Sequence, residues 1–504
     1  MTKHYFSLFF CLLTVCLRAQ IPGDALFNSN NMIHTVKFTF ADTGWYNILV
    51  NNYNTGNALD SSIYYSCTVE IDGTVLNNVG VKFKGNSSWG HPNGKKSMKL
   101  SFAEFVSGQR YDSLKQLNLN NGYNDPTFLR EKLYLDVLKE NGIEAPRCQY
   151  ASVFVNNQPY AFYTMVEEVD KTFLETHYGG NGGNLYKGDP KGDMKWEGWN
   201  QTSYYDNFEL KTNEDVNDWT DLVTLLNAIN NTPASQIPDT LEKYINIHQF
   251  VKHYAAYIVF ATLDSYVGSG HNFFVYYNKQ TDKFEFIQWD TNGSFGRHKP
   301  QGQGLTDETY LSPFFQSVPL GNRPLTDKIL ANATLKAEFV DAMCQLNQAY
   351  LNPVYMHHHI DSISAIIKPY VYADTRKQFT NNAFDSNLVY QVNVTPGLKN
   401  FSSFRYDFLQ DTLANYGCYP LSAAAIQKEE AVSIYPNPVF NSLTIEWPEA
   451  INTIAVYNLT GQKLKNMNVQ KSKNVTISLD ELSAGIYFVE INNDKMLTKK
   501  FIKL

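Results

Sequence analysis

Residues 258–297 read IVFATLDSYVGSGHNFFVYYNKQTDKFEFIQWDTNGSFGR and are the most informative stretch of the 504-residue chain. Two runs of aromatic and β-branched residues lie on either side of a polar turn at residues 278–283. This pattern predicts a β-hairpin. Residues 247–262, just before it, have apolar side chains at helical spacing, so we expect a helix that leads into the hairpin.

Four oxygen-bearing side chains flank the predicted hairpin. Asp264 and Asn272 precede its first strand, and Asp290 and Asn292 follow its second strand. Because a hairpin returns its two ends to the same place, we expect these side chains to converge. Carboxylate and amide oxygens are the ligands that Mg²⁺ or Mn²⁺ prefers, so the spacing predicts a divalent-metal site. The alternative is that the four residues cap turns, as Asp and Asn commonly do.

The order of these residues is also the order found in protein kinases. There, a catalytic-loop aspartate accepts the proton of the acceptor hydroxyl, and an asparagine and a second aspartate hold metal ions. The stretch resembles the CotH family of kinase-like spore-coat proteins in its first aspartate, its asparagine-bearing strand and its Trp-Asp-Thr-Asn segment at 289–292. The resemblance implies catalytic roles for Asp264 and Asp290, and metal ligation by Asn272, Asp290 and Asn292. Part of the family has aspartate at the position of Asn292, which leaves a second metal ion open.

A second candidate segment lies upstream, where residues 79–88 and 95–102 predict two strands joined by a turn of small residues. Small residues let backbone amides and hydroxyl groups approach a phosphate, and lysines supply the opposite charge. The alternative is a solvated hairpin with lysines on its outer face. The CotH family has similar Lys-Gly-Asn-Ser-Ser and Lys-Lys-Ser-x-Lys segments, although Lys82 replaces its usual arginine. The resemblance implies cofactor binding by Lys84, Gly85, Asn86, Ser87, Ser88 and Lys99.

Two glutamates complete the predicted cofactor site. Residues 127–140 have the pattern of a helix between a proline and an Asn-Gly pair, and Glu131 lies in its first turns. In kinases a helix glutamate pairs with the ATP-binding lysine, so the resemblance implies a pair between Glu131 and Lys99. The alternative is that the negative charge of Glu131 only stabilises the N-terminus of this helix. A predicted hairpin at 150–166 leads to Glu167, where a kinase-like fold has the hinge that contacts adenine.

Short aromatic and β-branched runs broken by Asn and Gly fill residues 35–75. We predict that these runs are strands, including residues 46–50, which read Tyr-Asn-Ile-Leu-Val. Helical patterns follow at residues 219–230 and 325–351. A different kind of function, carbohydrate binding, is suggested by the aromatic loop residues Trp196, Trp199, Tyr204 and Tyr205.

The N-terminus predicts a secretory signal peptide at residues 1–20. A short positive region precedes a mostly apolar run that is too short to span a bilayer, and small residues follow. No later run approaches about 20 apolar residues, so we expect no membrane-spanning segment. The formal charge of −7 and the absence of a long basic run predict no nucleic-acid binding. An oxidising compartment permits one or two disulfides, with the pairing open, among Cys67, Cys148, Cys344 and Cys418.

The composition of the sequence changes near residue 423. Residues 423–431 are small and polar and predict a linker. Residues 432–504 contain about six or seven short alternating runs, which predict a small all-β, immunoglobulin-like sandwich. This segment resembles the type A C-terminal sorting domain of type IX secretion substrates in its Tyr-Pro-Asn-Pro start, its Gly-x-Tyr strand and its terminal lysine. The resemblance implies export through the periplasm to the cell surface, with the type IX secretion machinery as a partner.

The resemblance to the CotH family covers roughly residues 35–400. It implies an α+β fold in which residues 21–422 form an atypical protein-kinase-like domain with two lobes. The implied activity is transfer of the γ-phosphoryl group of ATP to Ser or Thr of a secreted or coat protein, with Mg²⁺ or Mn²⁺. Two alternatives stay open: a catalytically inert adhesin or structural coat protein of the same fold, and a carbohydrate-binding surface protein. No residue pattern identifies the acceptor protein.

Overall fold

The computed structural model describes most of the chain. The described residues are 21–29, 31–300, 302–304, 307–418, 432–458, 462–491 and 497–504. The chain divides into two compact units, Met1–Tyr419 and Pro420–Leu504. The predicted signal peptide (1–20) and linker (423–431) lie outside the described residues, so both stay predictions.

Seven strands of the first unit close into a barrel. They are β1 (Ile33–Thr39), β2 (Tyr65–Ile71), β3 (Thr74–Lys84), β4 (Ser97–Ser101), β5 (Gln116–Asn120), β6 (Cys148–Val155) and β7 (Gln158–Glu167). Their order around the barrel is β1-β2-β3-β4-β5-β7-β6, and β6 closes the ring by pairing with β1 in parallel. Closure leaves the barrel without free sheet edges.

A second, four-stranded sheet contains the predicted hairpin. Its strands are β8 (Leu185–Gly188), β9 (Phe208–Leu210), β10 (Phe273–Asn278) and β11 (Lys283–Gln288). The order is β11-β10-β8-β9, and β10 pairs with β11 in antiparallel register from the Phe273–Gln288 pair to the Asn278–Lys283 pair. The hairpin prediction is therefore confirmed.

The other long elements of the first unit are helices. They are α1 (Asp24–Phe27), α2 (Trp45–Ala58), α3 (Arg130–Glu140), α4 (Lys171–Tyr178), α5 (Thr220–Asn231), α6 (Ile247–Val259), α7 (Pro324–Ala331), α8 (Ala333–Leu346), α9 (Pro353–Ala373), α10 (Asn381–Asn387) and α11 (Leu398–Ala414). A π-helical segment, Asn347–Leu351, continues α8. Among the described residues, no helix combines the length and apolar character that a bilayer crossing requires.

Short 3-10 turns connect several of these elements. They lie at Ser87–Gly90, Gln201–Tyr204, Ala234–Gln236, Leu241–Lys243, Thr291–Gly293 and Glu308–Tyr310. The first and fifth of these turns follow β3 and β11, where the sequence places the candidate site residues.

Two hydrophobic cores stabilise the first unit. One fills the barrel and includes the fully buried Val36, Val69 and Leu100. The other packs the helices together, and within it the rings of Tyr254 on α6 and Phe339 on α8 stack with centroids 4.2 Å apart. The mixed α+β prediction is confirmed by this content of helix and sheet. The division into two kinase-like lobes stays a prediction.

The predicted strand at residues 46–50 is wrong, because these residues lie in α2. This helix packs against the barrel, with Leu49 fully buried in the barrel core. Farther along the helix, Tyr53 stacks on Trp89 with ring centroids 3.6 Å apart. Aromatic and β-branched residues favour strands only weakly, so packing on the barrel overrides their local preference.

A buried ion pair joins the barrel to the end of α9. The Nζ of Lys95, just before β4, lies 2.8 Å from Oδ2 of Asp374, and neither side chain has exposed surface. The same Oδ2 accepts a hydrogen bond from the backbone N–H of Phe162 in β7 over 3.1 Å. The rings of Phe128 and Tyr163 lie 4.6 and 4.8 Å from the ammonium group. These contacts compensate both charges, which are costly to bury unpaired.

One disulfide forms among the four cysteines considered above. Cys344 on α8 is bonded to Cys418, and their Cα atoms lie 5.8 Å apart. Cys67 and Cys148 are buried free thiols. Because the bond closes a loop with a sequence separation of 74 residues, it stabilises the fold by restricting the unfolded chain, on the order of 4 kcal/mol.

The second unit is all-β, as predicted. Its strands are β12 (Ser433–Tyr435), β13 (Ser442–Asn458), β14 (Lys463–Ser478), β15 (Gly485–Ile491) and β16 (Leu497–Lys503). The described strands form one five-stranded sheet, in which β14 pairs with β13 beside the order β12-β13-β15-β16. Register shifts such as the one between Glu446 and Ile451 interrupt the long β13–β14 pair. Register shifts of this kind are typical of strands that bend. The all-β prediction is confirmed, and the arrangement of the strands as a two-layered sandwich stays a prediction.

Asp374→Asn is expected to lower the free energy of unfolding by about 3–5 kcal/mol, because Lys95 would stay buried without a counter-charge. Urea unfolding followed by circular dichroism measures the change. The control is Lys37→Met, which removes a half-exposed pair between Lys37 and Glu70 at 2.7 Å and is expected to cost about 1 kcal/mol or less. Equal costs for the two substitutions would contradict the importance of the buried pair.

Candidate active site

The two ends of the β10–β11 hairpin meet, as the sequence predicts. The Nδ2 of Asn272 donates a hydrogen bond to the backbone carbonyl of Asp264 over 2.9 Å. Gly293, in the turn after Asp290, lies against the same aspartate, because a Cβ at position 293 would be 3.0 Å from the Cβ of Asp264. A side chain at position 293 would therefore be in tight contact with Asp264, and one of the two segments would have to shift slightly.

Asp264 is held by two histidines that sequence reasoning missed. The Nε2 of His271 lies 2.7 Å from Oδ1 of Asp264, and the Nε2 of His298 lies 3.5 Å from the same oxygen. Burial raises the pKa of Asp264, but the hydrogen bond from His271 and the two imidazole charges outweigh burial and lower it. The carboxylate is therefore ionised near neutral pH. Residue spacing carries no signal for these contacts.

Asp290 has no hydrogen bond or ion pair with any described residue. Its backbone is left-handed, with φ 51° and ψ 57°, a conformation that aspartate adopts more readily than most residues. The side chain is exposed to solvent, although many protein groups lie around it. Burial and the charge of Asp264 raise the pKa of Asp290, and the charges of Lys84, Lys187 and Arg297 oppose this rise.

The predicted ligands supply only a few of the oxygen atoms that a divalent cation binds. Asp290 offers a carboxylate, and Asn292 offers an amide without a partner among the described residues. The Nδ2 of Asn272 is engaged with Asp264, which leaves its Oδ1 for a metal. No group of three or more His, Cys, Asp or Glu that could hold a metal occurs in the described part of the chain. A cation here would therefore also take oxygen atoms from a ligand or water, as Mg²⁺ commonly does.

The predicted phosphate loop lies between β3 and the 3-10 turn Ser87–Gly90. Gly85 has φ 112°, and a Cβ on it would overlap Oγ of Ser88, so the loop requires glycine here. The hydroxyl of Tyr53 on α2 donates a hydrogen bond to the carbonyl oxygen of Gly85 over 2.6 Å. Residues 86–87 are exposed. A ligand can therefore reach the loop, whose shape α2 stabilises.

Two lysines beside the loop are linked to one carboxylate. The Nζ of Lys99 forms an ion pair with Oε1 of Glu168 at 2.7 Å. The Nζ of Lys84 donates to Oδ1 of Asn118 over 2.7 Å, and the Nδ2 of Asn118 donates to Oε2 of Glu168 over 2.7 Å. The predicted pair between Lys99 and Glu131 is therefore wrong. Glu168 takes the place of the helix glutamate as the partner of Lys99.

Lys82, Lys84 and Lys99 form a lysine cluster. Its positive charge exceeds what the nearest carboxylate, Glu168, neutralises. Burial lowers the pKa of Lys84 to about 8, and the charge of Lys99 adds to this effect. Burial together with the same charge lowers the pKa of Lys82 to about 8. Burial would raise the pKa of Glu168, but Lys99 and Lys84 lower it. An anionic ligand would relieve this crowding of positive charges.

Glu131 lies in the first turn of α3, between the lysine cluster and Asp290. Its two carboxylate oxygens lie 3.0 and 3.3 Å from the Nδ2 of Asn120. Burial and the charge of Asp290 raise the pKa of Glu131 to about 7, and the charge of Lys84 opposes the rise. Glu131 is thus placed at the site as predicted, but Lys84 is the lysine that acts on it.

Glu167 is committed to a buried ion pair away from the lysine cluster. Its Oε1 lies 2.6 Å from Nη2 of Arg147, and its Oε2 lies 3.3 Å from Nε2 of His177. Its neighbour Glu168 faces the lysines instead, because successive side chains of an extended chain point in opposite directions. The alternation along β7 was the sequence signal that could have separated these two glutamates.

Lys84 brings the two predicted halves of the site together. Its Nζ lies 5.5 Å from the ring centroid of Trp289, the residue before Asp290. The charges of Lys84 and Asp290 also act on each other's pKa. The glycine loop and the end of the β10–β11 hairpin therefore face one another. Among the described residues, the aromatic loop side chains Trp196, Trp199, Tyr204 and Tyr205 form no hydrogen bond or ring contact with these groups.

Family models match two parts of the chain. Residues 81–409 match the model described as CotH kinase protein. Residues 433–504 match the model described as secretion system C-terminal sorting domain. The first match contains every candidate site residue discussed above, and the second contains the strands of the second unit.

Similar proteins occur in a bacterium and in a fungus. The inner spore coat protein H of Bacillus subtilis (strain 168) is 25% identical over 295 residues, which cover 58% of this chain and 77% of that protein. The invasins CotH3 and CotH2 of Rhizopus delemar are each 23% identical over 292 and 293 residues, or 55% of this chain. These matches span 47% and 48% of the two invasins, about half of their length.

Proposed function

Because the chain belongs to the CotH kinase protein family, we propose that it transfers the γ-phosphoryl group of ATP to Ser or Thr of a secreted or coat protein. The observation that carries this proposal is the position of Lys84, 5.5 Å from the ring of Trp289 and beside Asp290. At this position the lysine-bearing glycine loop lies opposite the carboxylate of Asp290, which has no hydrogen bond or ion pair with any residue that the structure describes. Phosphoryl transfer needs little more from a protein than such positioning and charge.

On the phosphate side, the lysines and the loop have separate roles. Lys84 and Lys99 would bind phosphate oxygens, and the glycine loop at Gly85 would approach them with backbone N–H groups. Glu168 keeps both lysines in place through its contacts with Lys99 and Asn118.

On the metal side, Asp290, Asn292 and Oδ1 of Asn272 would hold Mg²⁺ or Mn²⁺. When bound, the ion supplies positive charge that offsets the negative charge of the phosphates. The raised pKa of Asp290 fits this role, because a neighbouring carboxylate makes a cation favourable there.

Asp264 would accept a hydrogen bond, and then the proton, from the acceptor hydroxyl. Its lowered pKa keeps it ionised, and His271 orients it through Oδ1. The chain offers a candidate residue for each of these roles, which supports a kinase over an inert adhesin or a carbohydrate-binding protein.

Lys84→Met is expected to weaken Mn-ATP binding about tenfold or more, since it removes a charge-assisted contact while keeping the aliphatic stem. Lys99→Met should have a smaller effect, because Lys99 already has Glu168 as a partner. Isothermal titration calorimetry measures both affinities, with Lys37→Met as the matched control on β1. Unchanged binding in Lys84→Met would place the phosphate site elsewhere.

Asp264→Asn and Asp290→Asn are expected to separate catalysis from binding. The first should bind Mn-ATP normally but lose about a hundredfold or more of phosphate transfer, because the proton acceptor is gone. The second should lose both binding and transfer, because the metal loses its carboxylate. Mn-ATP-dependent melting shifts and transfer of labelled phosphate are the two measurements. Equal activity of both variants and wild type would show that these carboxylates only shape their turns.

The sorting domain at residues 433–504 indicates type IX secretion sorting and a place at the cell surface. We propose that export passes through the periplasm. Deleting residues 432–504 is expected to retain the protein in the periplasm while Mn-ATP binding persists, because all candidate site residues lie in the first unit. Immunoblots of cell fractions and calorimetry test these two expectations. Surface display of the truncated chain would contradict the first, and loss of binding in a folded truncation the second.

A further inference from the structure

A cavity of about 610 Å³ lies at the turn end of the β10–β11 hairpin. Its walls include Tyr277 and Asp282 of the hairpin, Asp218 and Asp221 at the start of α5, and Gly182 before β8; we call it the hairpin-end cavity. Its volume falls in the usual range of small-ligand pockets, about 300–1,000 Å³. Since a six-residue strand such as β10 spans about 20 Å, this cavity is separate from the candidate active site at the other end of the hairpin.

A prearranged hydrogen-bond network forms one wall of the hairpin-end cavity. The hydroxyl of Tyr186 donates to Oδ1 of Asp221 over 2.6 Å, and the Nδ2 of Asn184 donates to its Oδ2 over 3.0 Å. Asn213 in turn donates to Oδ1 of Asn184 over 2.8 Å. The carboxylate of Asp221 is thus oriented before a ligand arrives, which lowers the entropic cost of binding.

Aromatic rings form another wall of the same cavity. The ring of Tyr277 packs on Phe284 with centroids 5.3 Å apart, and its hydroxyl donates a hydrogen bond to Asp282. Tyr244 also lines the cavity, and its hydroxyl has no hydrogen-bond partner among the described residues. A cation gains from both the face of an aromatic ring and a nearby carboxylate.

Carboxylates outnumber lysines by three to two in the lining of the hairpin-end cavity. Two lysines, Lys243 and Lys279, belong to its lining. The carboxylates that line it or adjoin it in the exposed loop before α5 are Glu214, Asp215, Asp218, Asp221 and Asp282. Phosphate groups and acidic polymers would be repelled by this excess of carboxylates. A positively charged ligand would be attracted.

We propose that the hairpin-end cavity binds an arginine-bearing, basic segment of a partner protein. A guanidinium group is planar, so it can stack on Tyr277 while its N–H groups donate to Asp218 or Asp221. The formal charge of −7 of the whole chain would favour encounter with such a segment. This binding needs neither ATP nor phosphate transfer, so it stands apart from the proposed kinase reaction.

The test uses the mature full-length chain and a fluorescein-labelled (Arg-Gly)₄ peptide, with (Glu-Gly)₄ as the reference peptide. Fluorescence polarisation should show saturable binding of the basic peptide alone, weakening as salt screens the charges. Gly182→Trp is expected to lower the affinity about tenfold or more by filling the cavity. A Cβ at position 182 meets no atom within 4 Å, so the fold should tolerate the change.

Asp218→Asn is the second variant and should weaken binding about threefold to tenfold by removing one lining charge. Its amide oxygen can still accept the hydrogen bonds that Thr220 donates to Asp218. Asp411→Asn, an exposed change on α11, is the matched control and should bind as wild type does. The proposal is overturned if both peptides bind equally, if both cavity variants bind like the control, or if an uncharged oligosaccharide such as maltohexaose displaces the basic peptide.

Discussion

The buried guanidinium of Arg130 is the interaction on which the arrangement of the first unit depends. Its Nη1 lies 2.6 Å from Oδ1 of Asp125 and 3.0 Å from Oδ1 of Asn387, and its Nη2 donates to the carbonyl oxygen of Pro396. One side chain therefore ties the start of α3 to the segments around α10 and α11. Because a buried charge is costly without partners, these segments cannot separate from α3 without a large loss of stability. The next residue is Glu131, so the same contacts place a carboxylate in the candidate site.

Positively and negatively charged side chains alternate in the candidate site, and this alternation explains the directions of their pKa shifts. Lys99, Glu168 and Lys84 form a chain from the barrel strands toward Glu131 and Asp290. Lysines lower the pKa of the carboxylates beside them, whereas the charge of Asp290 raises the pKa of Glu131 and the charge of Asp264 raises that of Asp290. Lys82, Lys84 and Lys99 lie on barrel strands, whereas Asp264 and Asp290 flank the β10–β11 hairpin. Asp264 is the exception, because its histidines hold it ionised.

Much of this organisation could be predicted from local pattern. The β10–β11 hairpin, the strands that flank the glycine loop, and helices α3, α5 and α6 were all visible as period-2 or helical alternation, which depends on a segment and its own neighbours. Convergence of Asp264, Asn272 and Asp290 followed from the hairpin alone, since its geometry joins its own ends. The strand predicted at residues 46–50 was wrong because α2 packs its aromatic side chains against the barrel. The strands of that barrel lie elsewhere in the sequence, so local pattern could not reveal this contact.

The sequence by itself determined which residues stand at strand ends, where a turn of small residues follows a strand, and that residues 432–504 form an all-β unit resembling a sorting domain. Only the tertiary structure decided that Lys99 pairs with Glu168 and not with Glu131, that Glu167 faces Arg147, and that two histidines hold Asp264. The physical reason is that these contacts join different elements of the fold. Backbone periodicity sets the direction of each side chain, but the packing of one element on another selects the partner it meets.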